Sequence, residues 1–189
     1  MAGALMDKNL LILDLDETLL YGTERPLDRE PDLLASGYFV YFRPGLENFI
    51  RHVASLYRLA VWTSASRGYA LEICARIFAD VEIEFLWASE RCTIQWDHET
   101  GSVCGAKRLH KLRKKGYPLE RVIVIDDSPE KHLKNYGNLV RVLPFEGDPS
   151  DRELELLSPY LVTLATCTNV RKVEKRDWRR AYALVDPGG

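Results

Sequence analysis

Four aspartates close two apolar runs: Asp14 and Asp16 follow Leu10 to Leu13, and Asp126 and Asp127 follow Val122 to Ile125. Like charges gathered in one place repel. A hard divalent cation relieves that repulsion, and Mg²⁺ is commonly held by one or two carboxylates with water and substrate phosphate oxygens. Any one of these aspartates alone is better explained as a cap, but two pairs that each end an apolar run point to a shared site. In an extended chain, alternation puts Asp14 and Asp16 on one side and turns Leu15 to the core. Neighbouring acids can then divide the work. Asp14 is expected to attack phosphorus, splitting a hard displacement in two, and Asp16 to protonate the departing oxygen and later activate water. Phosphoryl transfer also needs donors and cations aimed at the equatorial oxygens. Thr63, closing another apolar run, and Lys107, in a basic stretch, are the candidates, although each alone also reads as a cap or a solvated charge.

Such residues need elements that bring distant parts of the chain together. Asn9 to Leu15 reads as a buried strand because its apolar run is unbroken. Arg58 to Trp62, Val81 to Trp87, Val122 to Ile125 and Leu139 to Leu143 read as further strands. Leu46, Phe49, Ile50, Val53 and Ala54 fall on one helical face. Hydroxyl-rich Thr63 to Ser66 suits a strand-to-helix turn and N-cap, with the helix running to about Phe78. Lys107 is expected to begin a basic helix. Ser128 and Pro129 have the character of an N-cap and first helical residue, and Ser150 and Glu153 have capping-box spacing before Leu154, Leu157 and Leu161. Tyr21 to Ser36, with Gly22, Pro26, Pro31 and many charges, reads as loop ahead of a β-prone run, Tyr38 to Phe42. Cys92 to Val103 reads as an irregular hairpin turning at Glu99 to Ser102. Alternating strands and helices imply right-handed crossovers and a parallel α/β sheet of Rossmann-like type, with helices on both faces and sites beyond the carboxyl ends of the strands.

At 189 residues, 46% hydrophobic and 29% charged, the chain suits one globular domain, residues 1–189, with its core over about 9–166 and a peripheral basic tail over 167–189. The net charge of −2 hides an acid-free basic stretch from Lys107 to Lys115. Such runs are more often solvated helix faces than nucleic-acid or phosphopeptide surfaces. Four cysteines without a CxxC pair, no leader pattern and no long apolar stretch favour a reducing cytoplasm, or a nucleus if the source is eukaryotic, and no membrane span. Cys92, His98, Cys104 and His110 recur every six residues but lack the close pairs of structural zinc sites. Trp62, Trp87, Trp96 and Trp178 read as core or interface anchors.

The order of DLDETL (Asp14 to Leu19), RPGLENF (Arg43 to Phe49), VWTSAS (Val61 to Ser66) and VIDDSPE (Val124 to Glu130) resembles haloacid-dehalogenase (HAD)-type phosphatases. Within these it is similar to the branch of small RNA-polymerase C-terminal-domain phosphatases and NLI-interacting-factor-like proteins. The resemblance runs from about Asn9 to Thr166. It implies a HAD-type fold with a small cap or none, Asp14 as nucleophile, Asp16 as general acid and base, and Mg²⁺ held by the Asp14 side chain, the Asp16 main-chain carbonyl and Asp127. It further implies Thr63, Ser64 and Lys107 as phosphate-binding residues, with Thr18 and Asp126 in support. The implied substrate is a phosphoserine or phosphothreonine protein; a phosphorylated nucleic-acid end or small metabolite is the alternative, and a non-catalytic phosphopeptide-binding module is the least favoured. Asp127 stands where that branch usually has Asn, Ser89 where it has Arg, and Leu20 to Phe42 is shorter and more charged than its β-rich insertion.

Overall fold

The computed structural model of the chain describes residues 8–97 and 101–183. His98 of the six-residue repeat, and Glu99 and Thr100 of the expected turn, lie outside them. The described strands and helices are β1 (Leu10–Leu13), β2 (Leu20–Thr23), β3 (Leu33–Ala35), β4 (Tyr38–Phe42), α1 (Leu46–Leu56), β5 (Arg58–Trp62), α2 (Arg67–Ile77), β6 (Ile83–Trp87), β7 (Thr93–Asp97), β8 (Ser102–Ala106), α3 (His110–Arg113), β9 (Val122–Asp126), β10 (Leu139–Arg141), α4 (Glu153–Ala165) and α5 (Trp178–Ala183). Short 3₁₀ turns link several of them.

Five strands form a parallel sheet in the order β10-β9-β1-β5-β6. Its central strand is buried at every position. Alternation divides each inner strand between two cores. Leu11, Leu13, Leu59, Val61, Ile123 and Ile125 face a large core shared with α1, α2 and α4, while Leu10, Ile12, Ala60, Trp62, Val122 and Val124 face a smaller one. That second face is covered by the one-turn helix α3, through Leu109 and Leu112, with Leu119 and Trp87. In α1 the expected positions Leu46, Phe49, Ile50 and Val53 are the buried ones, entered through Gly45 at φ +78, a conformation that glycine adopts without strain.

Tyr21 to Ser36 is not simply loop. β2 and β3 flank β4 in an antiparallel sheet, order β2-β4-β3. The backbone pairing offered by both edges of β4 overrides a charged, proline-bearing composition. Tyr41 pins the connection between β2 and β3: its hydroxyl accepts from Leu27 N–H at 2.8 Å and donates to Arg29 O at 3.3 Å. β7 and β8 pair regularly rather than as an irregular hairpin, and Trp96 on β7 is exposed.

Ser128 and Pro129 stand at the expected N-cap and first position, here of a 3₁₀ turn, Pro129–His132, although the Ser128 side chain makes no capping bond. The capping box expected of Ser150 and Glu153 is not formed. Ser150 donates to Asp148 Oδ1 at 2.8 Å, and the main-chain N–H of Glu153 is met by Asp151 Oδ1 at 2.9 Å. The Glu153 carboxylate accepts instead from Leu143 N–H and Arg179. The segment after Thr168 is likewise not peripheral over its described part. Trp178 is 3% exposed, stacks on Tyr160 at 5.6 Å between centroids, and donates Nε1–H to Arg141 O at 2.8 Å. No helix among the described residues is long and apolar enough to cross a membrane.

Removing a buried Trp side chain costs about 3–5 kcal/mol, against roughly 0.5 for a surface position. Trp178→Ala is therefore expected to lower the urea unfolding free energy by about 3 kcal/mol.

Candidate active site

The parallel sheet sends the carboxyl ends of β1, β5 and β9 to one edge. The pocket there is lined by, among others, Asp14, Asp16, Thr63, Ser64, Asp127 and Lys131. Asp14 still continues the ladder, its N–H donating to Ile125 O at 3.0 Å, and Leu15 is fully buried. The chain then folds back on itself. Leu15 O accepts from the N–H groups of Thr18, Leu19 and Leu20 at 3.2, 2.8 and 3.2 Å, and Glu17 takes φ +58.

Lys107 does not begin a helix. It follows β8 into the interior, where it has 0% exposure, with Nζ 2.7 Å from Asp14 Oδ2 and 2.6 Å from Asp126 Oδ2. Two carboxylates delivered by neighbouring strands supply the partners without which burying an ammonium would cost several kcal/mol. The backbone fixes it there: Lys107 N–H donates to Lys131 O at 2.9 Å, and its carbonyl accepts from Asn135 Nδ2 at 3.1 Å. The basic stretch expected from Lys107 to Lys115 thus loses its first member to the core.

Asp126 is fully engaged. Oδ2 meets Lys107 and, at 2.8 Å, His132 Nε2, while Oδ1 accepts from Ser128 N–H at 2.9 Å. Asp127 accepts from Thr18 Oγ1 at 3.1 Å and from Ser128 Oγ at 2.9 Å. Carboxylate oxygens of Asp14, Asp126 and Asp127 all lie within 4.8 Å of one another. An all-oxygen donor set of this kind suits Mg²⁺. Asp14 and Asp127 line the pocket and Asp126 does not, so Asp14 and Asp127 are the side chains placed to hold the ion. The Asp16 carboxylate is not in this cluster; it accepts from the Tyr69 hydroxyl at 2.8 Å, and its expected part in metal binding is through the main chain. Thr63 extends β5, its N–H donating to Trp87 O and its Oγ1 accepting from Ala65 N–H at 3.0 Å.

Charge is distributed unequally over these groups. Burial would raise Asp126, but Lys107 and His132 outweigh it and hold the carboxyl far below its usual range. Burial works against the Lys107 charge too, and Asp126 and Asp14 overcome it. Asp14 is the harder to ionise: burial and the adjacent Asp126 push it up to about 7, against the pull of Lys107. Asp16 is raised by burial, with the Tyr69 hydrogen bond pulling it back.

Sequence reasoning gave four residues here no role. Arg43 donates through Nη1 to Thr18 O at 2.9 Å and grips Asp151 with Nε and Nη2 at 2.8 and 2.7 Å, tying the turn after β1 to the start of α4. Its place at the head of the RPGLENF motif was the available signal. His132 and Lys131 come from the turn after Asp127, and Lys131 is a cation at the pocket wall, kept charged against burial by Asp14 and Asp126. Tyr69 offers no sequence signal beyond an aromatic on an amphipathic helix.

The sequence is 28% identical over 171 residues to "Probable C-terminal domain small phosphatase" of Dictyostelium discoideum, covering 86% of this chain and 53% of that protein. It is 26% identical over 183 residues to "CTD small phosphatase-like protein 2" of the same organism, covering 93% of this chain and 30% of that protein. The chain thus spans about half or less of these relatives' length. A solved structure of an essential RNA polymerase II CTD phosphatase superposes with a TM-score of 0.57 at 23% identity, over 100% of this chain and 57% of that one, which shows a shared fold. The model of the NLI interacting factor-like phosphatase family matches residues 9–171, spanning every strand of the parallel sheet and each residue of the pocket, and the chain belongs to that family.

Proposed function

We propose that the chain is a Mg²⁺-dependent phosphatase that transfers a phosphoryl group from a phosphomonoester to Asp14 and then to water. The observation that carries this reading is the buried bridge of Lys107 between Asp14 and Asp126 at the carboxyl edge of a parallel sheet. It fixes a buried carboxylate in the wall of the pocket and sets a cation beside it. In the first step an Asp14 oxygen forms a bond to phosphorus while the bond to the leaving oxygen breaks, and Asp16 gives that oxygen its proton. In the second, Asp16 takes a proton from water, whose oxygen bonds to phosphorus and releases Asp14. Lys107 has three N–H donors, two of which meet carboxylates among the described residues; the third is the one this reading assigns to a phosphoryl oxygen. Thr63 and Ser64 line the pocket that holds Asp14. Mg²⁺ bound by Asp14 and Asp127 would offset the clustered negative charge and orient the phosphoryl group.

A phosphoserine or phosphothreonine protein is the favoured substrate. The relatives' names, which speak of a C-terminal domain, support a protein substrate, and so do insertions that, among the described residues, form only small antiparallel sheets beside the parallel one. The burial of Lys107 weakens the nucleic-acid alternative, because the basic stretch loses the residue that would have joined it to the pocket.

Release of phosphate from an aryl phosphate is expected to require Mg²⁺, to fall at least about 10³-fold in Asp14→Asn, and to fall about 10²–10⁴-fold in Asp16→Asn. A native chain without turnover would sink the reading. Phosphopeptides and phosphorylated oligonucleotides then separate the substrate classes, since a steep loss of oligonucleotide turnover with salt marks phosphate-backbone binding.

Stability without metal carries its own signature. The folded Asp14 carboxyl titrates at about 7 against 3.8 when unfolded, so its ionisation costs stability, a cost absent below about pH 4 and complete above about pH 7. In chelator at pH 8, Asp14→Asn is expected to be the more stable chain by about 1–4 kcal/mol, with the difference in urea unfolding closing toward pH 4.

A further inference from the structure

Tyr69 and Gly22 have no part in the reading above, yet Tyr69 bonds to Asp16 and Gly22 lies beside the pair. Tyr69 lies in the first turn of α2, where Ser66 Oγ accepts its N–H at 3.4 Å. The ring is 6% exposed and stands edge-on to Tyr38, 5.7 Å between centroids. Its hydroxyl is the donor in the 2.8 Å bond to Asp16 Oδ1. On β2, a Cβ at Gly22 would stand 2.5 Å from the Tyr69 hydroxyl oxygen and 3.3 Å from Asp16 Oδ1. Gly22 is not among the residues at positive φ, so its backbone does not demand glycine. Space does.

We propose that Tyr69 is a positioning residue that orients the Asp16 carboxyl for proton transfer, and that Gly22 is the clearance through which the phenol reaches it. Tyr69 donates to Oδ1, so in the acid form Oδ1 is the carbonyl oxygen and the transferable proton sits on Oδ2. Among the described residues Oδ2 has no side-chain partner. Breaking the ester bond moves that proton from Oδ2 to the leaving oxygen, and in hydrolysis Oδ2 recovers a proton from the attacking water. Without the phenol the carboxyl can rotate, and the proton is delivered from either oxygen in an unfixed direction.

The inference rests on the phosphatase reading, and the experiment separates the two. kcat/KM is measured with Mg²⁺ for aryl phosphates of graded leaving-group acidity and for an alkyl phosphate, using the native chain, Tyr69→Phe, Gly22→Ala and the double variant. Protonation matters most for poor leaving groups. Tyr69→Phe should therefore lose about 10- to 100-fold on the alkyl phosphate and little on the most acidic phenol. Gly22→Ala should show the same pattern, and the double variant should be no worse than Tyr69→Phe, because the hydroxyl that the new methyl displaces is already gone. A loss uniform across leaving groups, no loss in Tyr69→Phe, or full additivity would overturn the inference while leaving the phosphatase reading intact. A native chain that hydrolyses none of the esters would overturn both. Should Gly22→Ala fail to fold, the leaving-group dependence of Tyr69→Phe decides alone.

Discussion

The ammonium of Lys107, enclosed between Asp14 and Asp126, sets the terms for the rest of the molecule. Burying a positive charge is tolerable only where opposite charges stand within hydrogen-bond reach. Here they do so because β1 and β9 lie side by side and end at the same level. Asp126 absorbs most of the charge compensation, with His132 and the Ser128 N–H completing its shell. Asp14 is left less fully compensated. A carboxylate that is costly to ionise yet oriented by Leu15 N–H at 2.8 Å is suited to accept an incoming cation and an electrophile.

A second polar tie holds the turn that follows. Arg43 is buried, and its guanidinium joins Thr18 O to Asp151. Thr18 in turn donates to Asp127. A planar, two-pronged donor suits this place better than a lysine, since the carboxylate of Asp151 is met by two parallel N–H groups while a third reaches the loop carbonyl. One network thus extends from the start of α4, through the turn after β1, to the acid at the end of β9.

Much of this frame was legible in the residues. The unbroken run Leu10 to Leu13 is what a strand covered on both faces requires, and parallel strands leave their closing residues Asp14, Thr63 and Asp127 on one edge. What stayed hidden depended on partners far away in sequence. Lys107 was legible as a cation for the site, but nothing in a run of lysines and arginines reveals that it is wholly buried, because the demand for that arises from two aspartates on other strands. Glu153 had capping-box spacing, but Arg179 from α5 took its carboxylate, and Asp151 satisfied the helix start. β2 and β3 were obscured for a similar reason: their order comes from β4, and their own composition argues against it.

The central position of β1 has a kinetic consequence. Leu10 pairs with Arg58 on β5 and with Val122 on β9, so the sheet's inner ladder closes only after large loops have been brought together. Loop closure of that kind is slow, because its entropy is lost before the contacts it permits are gained. Asp14 and Lys107 meet only when those closures are complete. The pocket is in this sense an indicator of finished folding, and partly assembled chains, whatever helix and hairpin they already contain, have no site to present.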